Sequence, residues 1–272
     1  MSWMCAKLEV SRSGFYAWLR RPMSRHARRD QVLERHIVEL FEESNGVYGS
    51  PRIHAVLRRR GERVGRKRVA RLMRGLRLKA RANCIYWKRS GGAVAGRLGI
   101  GNTAREREVT GPDQVWRGDI TYLNAGRRQR YLAVVIDQFS RRLLGYKLGL
   151  NRTSELTAEA LSVAIARRRP APGLVFHSDR GSEYGGYIYR DRLADHGIVQ
   201  SMNRPKTMTD NAHVESFFHT LKTEAIHGRS FGSFNELDSV VRDYIRHYNR
   251  SRVHSALGYL SPVDYERANA RN

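Results

Sequence analysis

Three β-rich runs stand almost end to end in the middle of this 272-residue chain: "VWRGDITYL", "RYLAVVIDQF" and "RLLGYKLGL", between residues 115 and 150. The connections between them are too short for a crossover, so the runs pair antiparallel as a meander. After residue 150 the periodicity changes. "TSELTAEALSVAIARRR" reads as an amphipathic helix, "GLVFHS" as a fourth strand, "SEYGGYIYRDRLADHG" as a helix and "IVQSM" as a fifth short strand. "TDNAHVESFFHTLKTEAIH" and "FNELDSVVRDYIRHYNR" follow as helices. A meander followed by alternating helix and strand specifies an α/β fold: a mixed five-stranded sheet flanked by helices.

The first 81 residues follow a different pattern, all helical. "SRSGFYAWLRR" suits a short helix, and residues 25 to 44 form a longer one with Val32, Ile37, Leu40 and Phe41 at helical spacing. Ser50 is a candidate N-cap, Pro51 suits the first helical position and Gly61 can close the end. The helix after Gly65 sets Val69, Leu72, Met73 and Leu76 on one face and Arg66, Lys67, Arg68, Arg71 and Arg74 on the other. Two short helices about a glycine-bearing turn, the second strongly basic, describe a DNA-binding helix-turn-helix better than a generic bundle with a solvated Arg face. Residues 82 to 114 lose periodicity and collect Gly91, Gly92, Gly96, Gly99 and Gly101, the composition of a mobile linker. The expected organisation is therefore a helix-turn-helix region (1–81), a linker (82–114), a sheet-bearing core (115–228) and a C-terminal helical extension of that core (229–272).

Charge narrows the partner. Fifty Lys and Arg face 26 Asp and Glu, a net charge of +24, which favours a polyanion, nucleic acid ahead of an anionic membrane. Residues 1–115 hold 26 of the cations and only 10 of the acids, so the main grip on nucleic acid belongs to the first half. Cys5 and Cys84 stand far apart and outside any C-x-x-C pair, which argues against a disulfide scaffold or a Cys-ligated zinc. No apolar run approaches the length of a membrane span and no signal peptide opens the chain, so a cytoplasmic setting is expected.

The stretch "LVFHSDRGSEY" opens as a core strand and then turns polar at His177, Ser178, Asp179 and Arg180. It is either a strand-to-helix turn capped by Ser182 or a site at a strand end, where sheet proteins keep their chemistry. Asp119 sits inside the first strand, where an ionisable group needs a reason to be. Glu215 lies on a helix whose apolar stripe is Val214, Phe217, Phe218, Leu221 and Ala225, beside a polar stripe of Asn211, Glu215, His219 and Lys222. Neighbouring first and fourth strands would put Asp119 and Asp179 at one sheet edge with Glu215 over them. Three such carboxylates need a cation, oxygen ligands select Mg²⁺ or Mn²⁺, and two ions about 4 Å apart can divide a phosphodiester between them. Spacing alone is weak support, because 35 residues separate Asp179 from Glu215 and Asp119 from Glu155 alike. Glu155 is better read as a first-turn acid after Thr153 or Ser154, and Asp137 as the turn residue between the second and third strands.

Five ordered motifs, "WRGDITYL", "YLAVVIDQFSRRLLGY", "FHSDRGSEY", "DNAHVESFFHTLKTE" and "YNRSRVHSALGYLSPVDYE", resemble the catalytic part of transposases of the insertion sequence three family, relatives of retroviral integrases. The upstream "SRSGFYAWLRR" and "YGSPRIHAVLRRRGERVGRKRVARLMR" resemble the helix-turn-helix that precedes that core. The resemblance implies an RNase H-like fold and a catalytic, metal-holding triad of Asp119, Asp179 and Glu215 serving two Mg²⁺ ions, with Mn²⁺ as substitute. It implies a DNA contact by Lys222, cleavage that frees a 3′-OH at the ends of an insertion element, and attack of that 3′-OH on another phosphodiester. The implied partners are double-stranded DNA, both element ends and target, and further copies of the chain in a multimer. An upstream-frame product is a third implied partner, since this sequence shows no heptad run. The setting implied is bacterial and nucleoid-associated. Thr207-Met208-Thr209 stands where the family commonly has an aromatic or Cys-Trp-like pair, and the zinc module of retroviral integrases is missing.

Further DNA contacts are expected from His177 and Arg180 at the strand end and from Lys206. Arg250, Arg252 and His254 either line DNA or belong to a packed C-terminal helix docked by Tyr244, Tyr248 and Leu257. The alternatives to an active transposase are a non-catalytic DNA-binding remnant that represses or titrates element ends, and a cellular nuclease of the same fold. The intact acids disfavour the first, and the basic helix-turn-helix disfavours the second.

Overall fold

The computed structural model describes residues 1–81, 99–125, 128–204 and 208–270. The chain divides into two compact units, Met1–Arg81 and Ala82–Asn272. The first holds α1 (Ser2–Lys7), α2 (Arg12–Leu19), α3 (Arg25–Glu43), α4 (Ser50–Arg59) and α5 (Arg66–Gly75). Ser11 and Ser24 cap α2 and α3 by accepting from the N–H of Gly14 and Ala27. Leu33, Ile37 and Leu40 of α3 are buried, as are Ile53 and Leu57 of α4 and Val69, Leu72 and Met73 of α5. Two local expectations need correcting. Leu33 takes the inward position assigned to Val32, because the i, i+4, i+7 row runs through Leu33, Ile37 and Leu40. Gly49 rather than Ser50 is the N-cap of α4, with Pro51 in the first turn and Gly61 closing the helix at φ +88°.

Among the described residues the second unit runs α6 (Thr103–Glu106), β1 (Val115–Ala125), β2 (Arg128–Asp137), β3 (Leu143–Gly149) and α7 (Ser154–Arg168). It then runs β4 (Val175–Ser178), α8 (Ser182–Gly185), α9 (Tyr187–Ala194), β5 (Val199–Met202), α10 (Ala212–Leu221), α11 (Phe234–Arg250) and α12 (Pro262–Asn269). The strand order is β3-β2-β1-β4-β5. β1, β2 and β3 pair antiparallel, while β4 runs parallel to both β1 and β5. This is the mixed sheet expected of the sequence.

Side chains alternate across the strands, and each face of the sheet has its own core. On one face Trp116, Ile120, Ala133, Val135 and Leu144 meet Leu161, Ala164 and Ile165 of α7 and Tyr189 and Leu193 of α9. Gly145 lets α7 come close, since a Cβ there would lie 2.2 Å from the Ala160 carbonyl oxygen. On the other face Leu123, Leu132, Val134, Ile136 and Leu148 meet Val214, Phe217 and Leu221 of α10 and Leu237, Val241, Tyr244 and Tyr248 of α11. Each large side chain fully buried there contributes about 1.5–3 kcal/mol. So α11 packs into this core beside α10, and Tyr244, Tyr248 and Leu257 are all buried.

The described part of the expected linker is also folded onto the sheet. Ala104 is buried with Val115 and Val175, its N–H donates to Ser201 Oγ at 3.1 Å, and Met202 N–H donates to the Gly101 carbonyl at 3.0 Å. No helix among the described residues is long and apolar enough to cross a membrane.

Candidate active site

Strand register brings the two aspartates to one rim. β1 and β4 run parallel with Arg117 beside His177, and Asp119 and Asp179 each stand two residues further along. Neighbouring strands lie about 4.8 Å apart. Gly118 makes this approach possible: a Cβ on it would sit 2.4 Å from Phe176 Cζ, in a ring that is fully buried. Glu215 joins from α10, which covers the face of β1 that carries Leu123 and, by alternation, Asp119. The Asn211 side-chain amide, just ahead of α10, donates to the Gly118 carbonyl at 3.0 Å and fixes that helix over β1. Glu215 itself is exposed.

Asp119 feels both of the other carboxylates. Burial first, and then the charge of Asp179, hold the Asp119 carboxyl well above its usual range; Glu215 adds to the rise, while the Ile120 N–H at 2.7 Å and Arg152 oppose it. Burial likewise raises Asp179, and the charge of Glu183 adds to that, against the Gly181 N–H at 3.0 Å and Arg152. Carboxylates held above their ordinary pKa by burial and by each other are short of positive charge. Their all-oxygen donor set fits a hard divalent cation. Among the described residues, however, no three His, Cys, Asp or Glu side chains are drawn tightly enough together to ligate one ion as they stand. Arg152 supplies the nearby cation, 3.8 Å from Asp179 Oδ2. Its Nε donates to Glu183 Oε1 at 2.7 Å, and Glu183 is buried.

Arg152 and Glu183 were not singled out from the sequence. Arg152 leaves the end of β3, and Glu183 falls within the same polar stretch as Asp179, so both carried the strand-end signal that marked the aspartate. Arg117 carried a second signal: it is as much an ionisable group inside β1 as Asp119. It is almost fully buried, and burial pulls its pKa down to about 10, helped by the charge of Arg141 and opposed by Asp210.

The expected DNA contacts divide sharply. Arg66, Lys67 and Arg74 are exposed on α5 and form no ion pair among the described residues. Arg68 and Arg71 donate to the two oxygens of Asp30 at 2.7 and 2.6 Å, so part of the basic face braces α5 against α3. Lys222 is half-buried with its ammonium 4.5 Å from the centre of the Tyr122 ring; burial lowers its pKa to about 8, against the pull of Asp119. It opens the π-helical turn Lys222–Ile226.

Three contacts expected from sequence are corrected. His177 has no exposed surface; its Nδ1 pairs with Ser201 Oγ at 2.9 Å and its Nε2 with Asn203 Oδ1 at 2.8 Å. Burial, with the charge of Arg117, lowers its pKa to about 4, so it is a neutral brace between β4 and β5. Arg180 donates to the Asn203 carbonyl at 2.6 Å and the Ile100 carbonyl at 2.8 Å, which commits its fork to the protein's own backbone. Arg252 is buried, and its fork holds Glu224 with bonds of 2.7 and 2.9 Å. Lys206 lies outside the described residues.

Comparison with known proteins agrees with this anatomy. Two family models described as an integrase core domain match residues 109–207 and 215–269, and one described as an HTH-like domain matches 27–83. The chain is 37% identical over 273 residues to "Transposase InsF for insertion sequence IS3A" of Escherichia coli K12, covering 98% of this chain and 93% of that one. It is 36% identical over 263 residues to the "Insertion element IS600 uncharacterized 31 kDa protein" of Shigella sonnei, covering 96% and 97%. Among solved structures, a simian T-cell lymphotropic virus intasome, determined in complex with a PP2A regulatory subunit, matches with a TM-score of 0.51. The identity is 16%, over 85% of this chain and 74% of that one, which speaks for the fold alone.

Proposed function

The chain belongs to the IS3 family of insertion-sequence transposases, and on that premise we propose that it cuts DNA at the ends of its own element and joins the freed ends to a new site. The observation that carries this reading is the parallel β1–β4 register, which sets Asp119 and Asp179 two residues beyond the Arg117–His177 pair, with Glu215 close enough to act on Asp119. In the cutting step water adds to a phosphorus at the element end and the P–O3′ bond breaks. The departing oxygen takes a proton, leaving a 3′-OH and a 5′-phosphate. In the joining step that 3′-OH adds to a phosphorus of the target, and the target's own 3′ oxygen leaves.

Asp119 and Asp179 would hold Mg²⁺ or Mn²⁺, two ions in all, with Glu215 completing the set. Bound there, the ions would make the attacking oxygen a better nucleophile and take up charge on the leaving oxygen. The protein's part is placement. The β1–β4 pair keeps the two aspartates rigid, Asn211 ties the Glu215 helix to β1, and Lys222 offers a cation at the far end of that helix. Arg66, Lys67 and Arg74 on α5 would grip duplex DNA. The reacting assembly is a multimer on paired ends, joined by the upstream-frame product.

An end-cleavage assay with Mg²⁺ tests the proposal. Asp119→Asn, Asp179→Asn and Glu215→Gln should each lose cleavage by at least ~10³-fold, the scale on which transition-state charge stabilisation is lost, while duplex binding persists. Retention of strand cleavage by all three variants would end it.

A further inference from the structure

One cluster of cations remains that neither the triad nor the helix-turn-helix uses. Arg117 binds together three segments: its Nε donates to Gln138 Oε1 at 2.7 Å, and its Nη1 to the Asp210 carbonyl just ahead of α10. Three residues beyond Gln138, in the turn between β2 and β3, Arg141 is held at φ +60°. Its backbone N–H bonds to the Asp137 carbonyl, but its guanidinium has no hydrogen-bond or ion-pair partner among the described residues. In the first turn of α10, His213 keeps a buried Nδ1 that has no hydrogen-bond partner among the described residues. The two bonds of Arg117 draw the turn that carries Arg141 and the start of α10 that carries His213 to one guanidinium. The carboxylate that offsets Arg117, Asp210, is itself spent on Arg204, at 3.0 Å.

The Arg141 guanidinium and an unsatisfied imidazole nitrogen, backed by the buried charge of Arg117 at the start of a ten-residue helix with no side-chain cap, are arranged to receive an anion. An orphaned buried polar atom costs stability unless something binds to it. The position of the cluster selects the anion. Arg117 and Asp119 occupy the same face of β1, two residues and about 7 Å apart, the order of separation of successive phosphates along one DNA strand. We propose that Arg141 and His213, set in place by the buried Arg117, form a phosphate-binding site that holds the DNA backbone one step from the phosphodiester at Asp119 and Asp179. This deepens the transposase reading and rests on it for the identity of the ligand. Arg117 and His213 also support the fold, so Arg141 is the residue through which the site is tested.

The experiment uses the full chain with a short fluorescein-labelled element-end duplex, divalent ions chelated, and anisotropy read across a salt series. Arg141→Gln should weaken binding by roughly threefold to tenfold at ~0.1 M salt and reduce the slope of log K against log salt by about one. Its melting temperature should match the wild type, and Arg141→Lys should recover most of the loss. With duplexes carrying one neutral methylphosphonate at a time, the wild type should be sensitive at a position to which Arg141→Gln is indifferent. An unchanged slope, or the same methylphosphonate profile for both proteins, overturns the proposal. Because no cleavage is scored, failure of the cleavage reading and failure of this site give different results.

Discussion

Placing an alanine at Gly118 tests whether the β1–β4 approach sets the geometry of the aspartates. The new Cβ would meet Phe176 Cζ at 2.4 Å and Cε1 at 2.8 Å, about 1 Å inside van der Waals contact. The ring cannot swing away, because it is fully buried and packed against Tyr189 at 5.6 Å and Tyr184 at 6.4 Å between ring centres. Overpacking of this kind costs about 1–3 kcal/mol, or roughly 2–12 °C in melting temperature for a unit of this size. Relief comes from β4 moving away from β1, and Asp179 travels with β4. A misplacement near 1 Å is worth roughly 10²-fold in rate. Gly118→Ala should therefore lose far more cleavage than its stability loss explains at a temperature where it stays folded. Adding Phe176→Leu removes the ring atoms in conflict and should return part of both losses, a coupling of about 1–3 kcal/mol in a double-mutant cycle. Full activity in Gly118→Ala, or strictly additive effects in the pair, would refute the reasoning.

Other consequences follow from the same contacts. Asp119 has a folded pKa raised by burial and by Asp179, so the native state binds the extra proton and stability falls as pH rises from the unfolded value to the folded one. Asp119→Asn removes that penalty: without metal it should melt above the wild type at neutral pH, with the gap closing as the solution is acidified through that window. A lower melting temperature at neutral pH would contradict this. The Arg252–Glu224 pair is buried on both sides, and Glu224→Gln should cost about 3–5 kcal/mol by urea denaturation, because it leaves a buried guanidinium without its anion. A loss below about 1 kcal/mol would return Arg252 to the list of surface cations.

The sheet was legible because its signals are local. Short connections force β1, β2 and β3 into a meander, and the apolar stripe of α10 fixes which side of that helix faces the sheet. Asp119 stood out as a charge inside a core strand. Arg117, two positions earlier, is the same anomaly, and it passed unremarked because a cation in a basic chain draws no attention. His177 and Arg252 show why polar residues near a site mislead. Whether they reach DNA depends on partners distant along the chain, Ser201 and Asn203 for the histidine and Glu224 for the arginine, which no spacing rule supplies. The segment from Gly99 to Glu106 misled for the opposite reason: glycine content suggested a linker, whereas one small residue, Ala104, seats it on β1 and β4.

Anomalous diffraction from crystals soaked in Mn²⁺, with element-end DNA bound, bears most directly on the proposed chemistry. Metal peaks should appear against the carboxylates of Asp119 and Asp179 with Glu215 turned in to join them, and Arg152 displaced toward Glu183. Peaks elsewhere on the protein, or an Arg152 guanidinium still seated against Asp179 at saturating Mn²⁺, would contradict a metal-dependent nuclease at this rim.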